Sequence, residues 1–311
     1  MLTKPMLTKL GAAGLYGAPP PDLAPRQADA AQFSPLVPGS AALEDAAEAS
    51  MPGMIMLAPP GTVERRYSLA LALRTLVPGA TLVALAPKDK GGSRIAKELR
   101  SFGCTVTESV KSHNRICMGV RPAVLTGIDA AIGAGGPQRV EAIGLWSQPG
   151  IFSWDRIDPG SALLAELIKP LAGRGADFGC GFGFLANKSL SSPAIQELVL
   201  IDVDRRAIAA AQRNVTDPRA RFVWDDLRKS DTVPGSLDFV VMNPPFHDGG
   251  QEDKALGQIF IKRASEVLRP GGVCWLTANR HLPYEAALAA HFSSATLRAD
   301  RDGYKVYEAK R

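Results

Sequence analysis

Cysteine is scarce in this chain. Only Cys104, Cys117, Cys180 and Cys274 occur in 311 residues, and no two form a C-x-x-C pair. That excludes a dithiol redox motif and a cysteine-rich zinc module, and it predicts four free thiols in a reducing cytoplasm. The four histidines, His113, His247, His281 and His291, stand at no zinc-ligand spacing, so no metal is expected. No apolar run reaches the length of a membrane span, and the lysine-bearing N-terminus is broken by Gly and Pro rather than continuing as a signal core. A membrane partner and export are therefore not expected. Aromatics make up 6% of the chain and none is arranged as an RNP-type stacking motif, so a module dedicated to reading single strands is not indicated.

What is present is ordinary globular material of a two-domain length, 46% hydrophobic and 22% charged with a formal net charge of +5. Residues 1–50 are rich in Ala and Pro and weakly periodic, which predicts an arm that is in part loosely ordered or draped over the domain. Residues 51–148 alternate between strand and helix. Strands are expected at 54–57, 81–85, 104–110 and 115–120, with helices at 63–76, ended by Pro78-Gly79, and at 93–102, stopped by Gly103. Any internal repeat between the two halves of the chain is faint in the sequence. The positive charge concentrates in the first half. Lys88, Lys90, Arg94, Lys97, Arg100, Lys111, Arg115 and Arg121 face only Asp89, Glu98 and Glu108 in that stretch. Such a cluster is either a solvated helix face or a phosphate-attracting surface.

The chemistry lies beyond residue 149. A strand starting at 173 runs into Asp177-Phe178-Gly179-Cys180-Gly181-Phe182-Gly183, and a helix is expected at 184–190. Strand, glycine-rich turn and helix together bring backbone N–H groups close to a ligand. The next strand ends at Asp202, about 20 residues beyond the glycines, where a carboxylate can accept both hydroxyls of a ribose. A helix at 205–214 follows, capped by Asp204. A third strand ends at Asp225-Asp226, a pair that either accepts from an adenine amino group or forms a solvated turn. The glycine spacing is not the G-x-G-x-x-G of a dehydrogenase, which counts against hydride transfer.

An apolar strand at 237–242 then ends at Asn243-Pro244-Pro245-Phe246. Two prolines stop the ladder because neither has an N–H to donate. An Asn carboxamide oxygen and a fixed backbone carbonyl remain at the strand's carboxyl end, where open α/β sheets bind ligands. Two acceptors side by side suit an –NH2 group whose lone pair must be freed for attack, and Phe246 offers a face on which a base can stack. His247 and Asp248 are expected to form a turn that Asp248 stabilises before Gly249-Gly250, or else to hold the loop or assist proton loss. Residues 271–278 read as a fifth strand, and 295–299 and 304–309 as a hairpin around Asp302-Gly303.

These residues carry a resemblance. D-x-G-C-G-x-G, the acid at 202 and N-P-P-F resemble a class I S-adenosylmethionine-dependent methyltransferase acting on an exocyclic amine. Pro149-Gly150-Ile151-Phe152-Ser153, Asp158-Pro159-Gly160-Ser161, Phe246-His247-Asp248-Gly249, Leu282-Pro283-Tyr284 and Gly303-Tyr304-Lys305-Val306-Tyr307 are similar to the ribosomal RNA guanine-N2 methyltransferases, nearest to those of the small subunit (16S). The resemblance covers 149–311 strongly and the first half loosely. It implies two Rossmann-like α/β domains. The catalytic one, 149–311, has a seven-stranded, mostly parallel sheet with one antiparallel strand. The degenerate one, 51–148, binds RNA or supports the other.

The same resemblance implies S-adenosylmethionine as cofactor. Its site is expected to include Asp177, Gly179, Cys180, Gly181, Gly183, Asp202, Asp225, Asp226 and Asn243. Phe152, Asp158 and Ser161 either line its methionine end or cap a helix. Asn243, Pro244, Pro245 and Phe246 are the expected catalytic set, and Lys88, Lys90, Arg94, Lys97 and Arg100 the expected RNA contacts. The expected partner is ribosomal RNA or the small ribosomal subunit, met by a monomer. An adenine-N6 methyltransferase keeps the same acceptors. A protein-glutamine methyltransferase would carry Tyr in place of Phe246. A catalytically idle RNA-binding assembly factor would not need the glycines, Asp202 and Asn243.

Overall fold

The computed structural model describes residues 14–24, 29–229, 232–245, 247–248, 251–252 and 254–311, with only the backbone of 247–248, 251–252 and 254. Phe246 thus lies outside the described residues, as do the side chains of His247 and Asp248. The chain forms two compact units, Met1–Gly136 and Pro137–Arg311. The division falls earlier than the expected boundary near 148. The reason is a small hairpin, β7 (Gln138–Val140) and β8 (Leu145–Ser147), which is tied by Asn214 into the second unit: Asn214 Oδ1 accepts from Trp146 N, and Nδ2 donates to Trp146 O and Phe182 O.

The first unit is a six-stranded sheet. Its strands are β1 (Gly14–Tyr16), β2 (Ala31–Phe33), β3 (Met51–Leu57), β4 (Leu76–Pro87), β5 (Thr105–Lys111) and β6 (Asn114–Val120), in the spatial order β2-β1-β3-β4-β6-β5. Within the arm expected over 1–50, β1 and β2 pair in parallel with each other, β1 continuing onto β3. Neither strand exceeds three residues, too short for period-2 patterning to be visible in the sequence. Helix α1 (Thr62–Thr75) joins β3 to β4, α2 (Ser93–Ser101) follows β4, and α3 (Ile128–Gly135) closes the unit. Helix α1 ends before Pro78-Gly79, because Leu76 already pairs with Met51 in the sheet.

The second unit contains α4 (Pro159–Leu167), β9 (Gly173–Phe178), α5 (Phe184–Leu190), β10 (Ile195–Asp202), α6 (Arg205–Asn214), β11 (Ala220–Trp224) and β12 (Leu237–Met242). The short pair β13 (His247–Asp248) and β14 (Gln251–Glu252) follows, then α7 (Lys254–Val267), β15 (Leu268–Asn279), α8 (Glu285–His291), β16 (Ser294–Arg301) and β17 (Tyr304–Lys310). The seven-stranded sheet runs β11-β10-β9-β12-β15-β17-β16, and only β17 is antiparallel to its neighbours. The parallel strands β9, β10, β12 and β15 are buried on both faces, which is why they read as apolar runs rather than alternating ones, while the edge strand β11 is only half-buried. Strand order reverses between β9 and β12, so the crevice outside their carboxyl ends is where a ligand site is expected. Among the described residues no helix is long and apolar enough to cross a membrane.

The faint repeat is explicit in the fold. Without β11, the second sheet matches the first strand for strand. In both, a bulge falls at the same register: Met51↔Leu76 is followed by Gly53↔Thr81, and Leu237↔Leu268 by Phe239↔Val273. Both long strands open with a Leu-x-Pro-Gly turn, at Leu76 and Leu268, and both final hairpins turn on two residues with positive φ, Ser112-His113 and Asp302-Gly303. Counted from the bulge, Asn243 falls where the first unit has Leu57.

The first unit differs at its own strand end in another way. Arg65 is buried there, donating to the Pro59 and Pro60 carbonyls (3.3 and 2.7 Å) and to both oxygens of Glu98 (2.8 Å each). A Cβ on Gly91 would meet its guanidinium at 2.1 Å. The second unit has the inverse arrangement, with Gly257 at the matching turn of α7 and the buried Tyr284 ring against it. The first unit therefore lacks the acceptor side chain and fills the adjoining space with an ion pair.

Candidate functional site

The glycine turn is held open by the strand that follows it. Gly179 N and Cys180 N both donate to the Ile201 carbonyl (2.9 and 3.1 Å), and Gly181 N donates to Asp202 Oδ2 at 2.9 Å. Gly179, Gly181 and Gly183 have φ of 72°, 52° and 88°. Their roles separate. A Cβ on Gly183 would stand 2.7 Å from the Val215 side chain, so this glycine lets α5 close on α6. A Cβ on Gly181 would meet nothing within 4 Å. That open space is the cradle into which a ligand's polar groups can approach the backbone. Helix α6 starts at Asp204, whose carboxylate accepts from Arg206 N at 2.9 Å as a cap.

Two acids sit beneath this turn. Asp202, at the end of β10, uses Oδ1 to accept from Asp204 N and Oδ2 to accept from Gly181 N, both at 2.9 Å. Burial pushes its pKa up to about 6 against those bonds. Asp177 is fully buried, and among the described residues neither of its oxygens makes a hydrogen bond of normal geometry, the Ala186 N–H being the backbone donor that favours its charge. Burial, then the like charge of Asp202, push it up to about 8. Burial also pushes the Cys180 thiol well above its usual range, so this cysteine is an inert loop residue rather than a nucleophile.

The Asp225-Asp226 pair divides. Asp226 is gripped through both oxygens by Arg228 (2.7 and 2.8 Å). Burial works against its charge, yet those bonds hold its carboxyl below the usual range. Asp225 accepts from Asp226 N (2.7 Å) and Thr232 Oγ1 (3.0 Å), and its own N–H donates to the Asp202 carbonyl (3.1 Å). Asp225 is therefore the member next to Asp202, and Asp226 shapes the turn.

At the end of β12, Asn243 faces α4. Its Nδ2 donates to Asp158 Oδ2 at 2.8 Å and to Ser161 Oγ at 2.9 Å. Asp158 is the N-cap of α4 and also accepts from Ser161 N at 2.8 Å. Asp158 thus caps the helix, as one of its two expected roles, and also borders the cleft. Asn243, Asp158, Ser161, Phe152, Gly179, Cys180 and Gly181 line one shallow cleft that is open to solvent. Pro244 is buried behind Asn243. Phe152 is 57% exposed at the cleft.

Sequence reasoning missed four cleft-lining residues, Ser153, Phe182, Phe184 and Leu185. Phe182 and Phe184 lie between and after the glycines, and both also pack against the apolar cluster of Ile151, Ala207 and Ala210, so an apolar residue there reads equally as core. In the first unit, Lys88, Arg94, Lys97 and Arg100 are exposed and Lys90 is half-buried. Arg94, Lys97 and Arg100 share the solvent side of α2, whose only acid, Glu98, is turned inward to Arg65. Arg100 also pairs with Glu108 at 2.9 Å. Arg121 does not belong to this surface: it is buried and donates to the Leu73 carbonyl.

Comparison with known proteins agrees with this geometry. The family profile described as "Methyltransferase small domain" matches residues 142–308. The chain is similar to the ribosomal RNA small subunit methyltransferase C of Idiomarina loihiensis, 40% identical over 165 residues that cover 52% of this chain and 48% of that protein. It is also similar to the protein of the same name from Shewanella loihica, 30% identical over 78% of this chain and 72% of the relative. The match to the Stutzerimonas stutzeri protein of that name is 32% over 78% and 74%. Several other relatives are matched over about half of their length. Among solved structures, the T. thermophilus 16S rRNA N2 G1207 methyltransferase in complex with AdoMet and guanosine superposes with a TM-score of 0.71 at 26% identity, covering 87% of this chain and 76% of that one.

Proposed function

The chain belongs to the methyltransferase small domain family and, within it, to the ribosomal RNA small subunit methyltransferases C; from that membership we propose that it transfers a methyl group from S-adenosylmethionine to the exocyclic N2 of a guanine in 16S ribosomal RNA. What supports this most is the placement of Asn243. Its amide hydrogens are consumed by Asp158 and Ser161, which leaves Oδ1 as an acceptor beside the glycine cleft.

The glycine turn suits the cofactor on two counts. Gly181 has open space above it, and Asp202, which holds the turn from beneath, ends the second strand with a carboxylate that would accept hydroxyls. Gly179, Gly181 and Asp202 would hold the nucleoside and methionine portions, with Asp225 near the base; Phe152 and Phe182 would flank it. When bound, S-adenosylmethionine supplies a methyl group that is already strongly electrophilic. The protein has to align the amine and free its lone pair, which is mostly a positioning effect. Asn243 Oδ1 and the Pro244 carbonyl accept the two amine hydrogens. Those bonds strengthen as positive charge grows on nitrogen, so they favour the transition state over the ground state. Phe246 is proposed to stack on the base, which has to be splayed or flipped out of folded RNA.

The basic face of α2, with Arg94, Lys97 and Arg100 joined by Lys88 and Lys90, is proposed to hold RNA phosphates. The proposed setting is a monomer in the cytoplasm that works without a metal, in keeping with four buried, unpaired thiols. The test is transfer of labelled methyl to unmodified 30S particles and to free 16S rRNA, followed by nucleoside analysis. N2-methylguanosine is expected. N6-methyladenosine would keep the acceptor chemistry and replace the substrate.

A further inference from the structure

Ser161 and Asp158 were expected either to line the cofactor site or to cap a helix, and the geometry points to a third role that rests on the amine-methylation reading. We propose that Asp158, with Ser161, is the positioning residue for Asn243: it sets which way the carboxamide faces and strengthens its oxygen as an acceptor. Asn243 and Asp158 are 85 residues apart, and the bond between them joins the end of β12 to the start of α4.

A carboxamide has two faces of similar shape, and an unconstrained Asn can present either oxygen or NH2 to the cleft. Only the oxygen can accept from an amine, so a flipped Asn243 would present donors to donors. Asp158 removes that ambiguity. An ionised carboxylate accepts only, so Asn243 must turn Nδ2 toward it. Asp158 is itself fixed, because Oδ2 also accepts from Ser161 N in the first turn of α4, where the helix dipole favours an anion. Ser161 Oγ takes the second amide hydrogen. Both Nδ2 hydrogens are thereby used, and among the described residues Oδ1 accepts none.

The same bonds act electronically. Donation from Nδ2 to a buried carboxylate draws the amide toward its charge-separated form and places more negative charge on Oδ1, the polarisation expected along a hydrogen-bond chain at low dielectric. Asp158 is only 8% exposed, so solvent does little to screen it. Its charge thus reaches the developing ammonium through Asn243 rather than by contact. A further constraint keeps Asp158 in place: Gly160 lies against the Tyr304 ring, where a Cβ would stand 2.6 Å from it, and the Asp158 charge helps raise the Tyr304 hydroxyl's pKa after burial.

The experiment uses the full-length protein and three variants, Asp158→Asn, Ser161→Ala and Asn243→Ala. S-adenosylmethionine affinity is measured by calorimetry, methyl transfer to 30S particles under saturating cofactor, and the Asn side-chain amide signals by NMR with 15N-Asn labelling. Asn243→Ala assigns the Asn243 pair. For Asp158→Asn, kcat is expected to fall about 10- to 100-fold with cofactor affinity within about threefold of the wild type. Ser161→Ala, which keeps the carboxylate, is expected to lose about three- to tenfold. The Asn243 amide pair should be slow to exchange with solvent in the wild type and shift in both variants. Equal losses in cofactor affinity and kcat would overturn the proposal and return Asp158 to the cofactor. An unchanged kcat would reduce it to a helix cap, and an Asn243 pair in fast exchange would refute the clamp without any turnover assay. Should the wild type methylate no guanine while the Asn243 pair remains protected, the amine reading fails and the clamp stands.

Discussion

The backbone N–H of Gly181 donates to Asp202 Oδ2 at 2.9 Å, so the glycine turn and the acid of the next strand form one unit. Asp202 shapes the turn, and it is proposed to accept ligand hydroxyls as well. Replacing Asp202 by Ala should therefore weaken S-adenosylmethionine binding about 10- to 100-fold, the loss expected when charged hydrogen bonds are removed. Calorimetric titration measures it. Affinity close to that of the wild type would remove Asp202 from the cofactor site.

Asn243→Ala should behave in the opposite way. The side chain gives its NH2 to Asp158 and Ser161, and its oxygen is proposed to accept from the substrate amine. Cofactor affinity should stay within about threefold while kcat falls about 10²- to 10³-fold, as when one preorganised polar group is lost from a transition state. Single-turnover methylation with saturating cofactor separates the two.

Asp177 predicts a pH dependence. Its folded pKa of about 8 lies far above that of an exposed aspartate. Between about pH 4 and 8 the native state then holds a proton that the unfolded chain has released, so stability falls as pH rises through this window. Asp177→Asn removes the titration. The Tm of the wild type should drop relative to Asp177→Asn between pH 5 and pH 8 in thermal scans without cofactor. Cofactor binding to the wild type should tighten over the same rise, since the ionised form favours the cationic ligand. Parallel Tm profiles for the two proteins would show that Asp177 does not titrate in this range.

Gly160→Ala should be costly although it lies in a helix, where Ala is usually favoured. The new methyl would meet Tyr304 at 2.6 Å. The expected loss is about 1–3 kcal/mol of stability, read by denaturant titration. Adding Tyr304→Ala should recover part of it by removing the obstructing ring.

The basic face of α2 is tested by salt. Arg94→Ala and Lys97→Ala should each lower the slope of log affinity for 16S rRNA against log salt by about one, with cofactor affinity unchanged. Binding curves at several salt concentrations measure this. Unchanged slopes would place the RNA elsewhere.

Much of the second unit was legible because its signals are local. The strand over Leu237–Met242, the helix over Phe184–Leu190 and the cap at Asp204 all follow from nearest-neighbour rules, namely apolar runs, glycine φ freedom and a carboxylate at a first turn. The strands β1 and β2 were not legible, since three residues carry no period and their pairing partners lie elsewhere in the chain. The repeat was hidden for a related reason. Equivalent strands share register and bulge, while the residues at equivalent points, Leu57 and Asn243 or Arg65 and Gly257, have nothing chemical in common.

The sequence by itself determined the inventory: a glycine turn, an acid 21 residues beyond Gly181, an acceptor at a proline-stopped strand end, and their order along an alternating α/β chain. Each depends on what one residue and its neighbours can do. Only the tertiary structure decided the division of labour. Asp226 is taken by Arg228, Gly183 serves packing while Gly181 faces the cleft, and Asp158 turns the Asn243 carboxamide. Those outcomes depend on which lone pairs and hydrogens are already engaged, and that is settled by side chains brought together from distant segments.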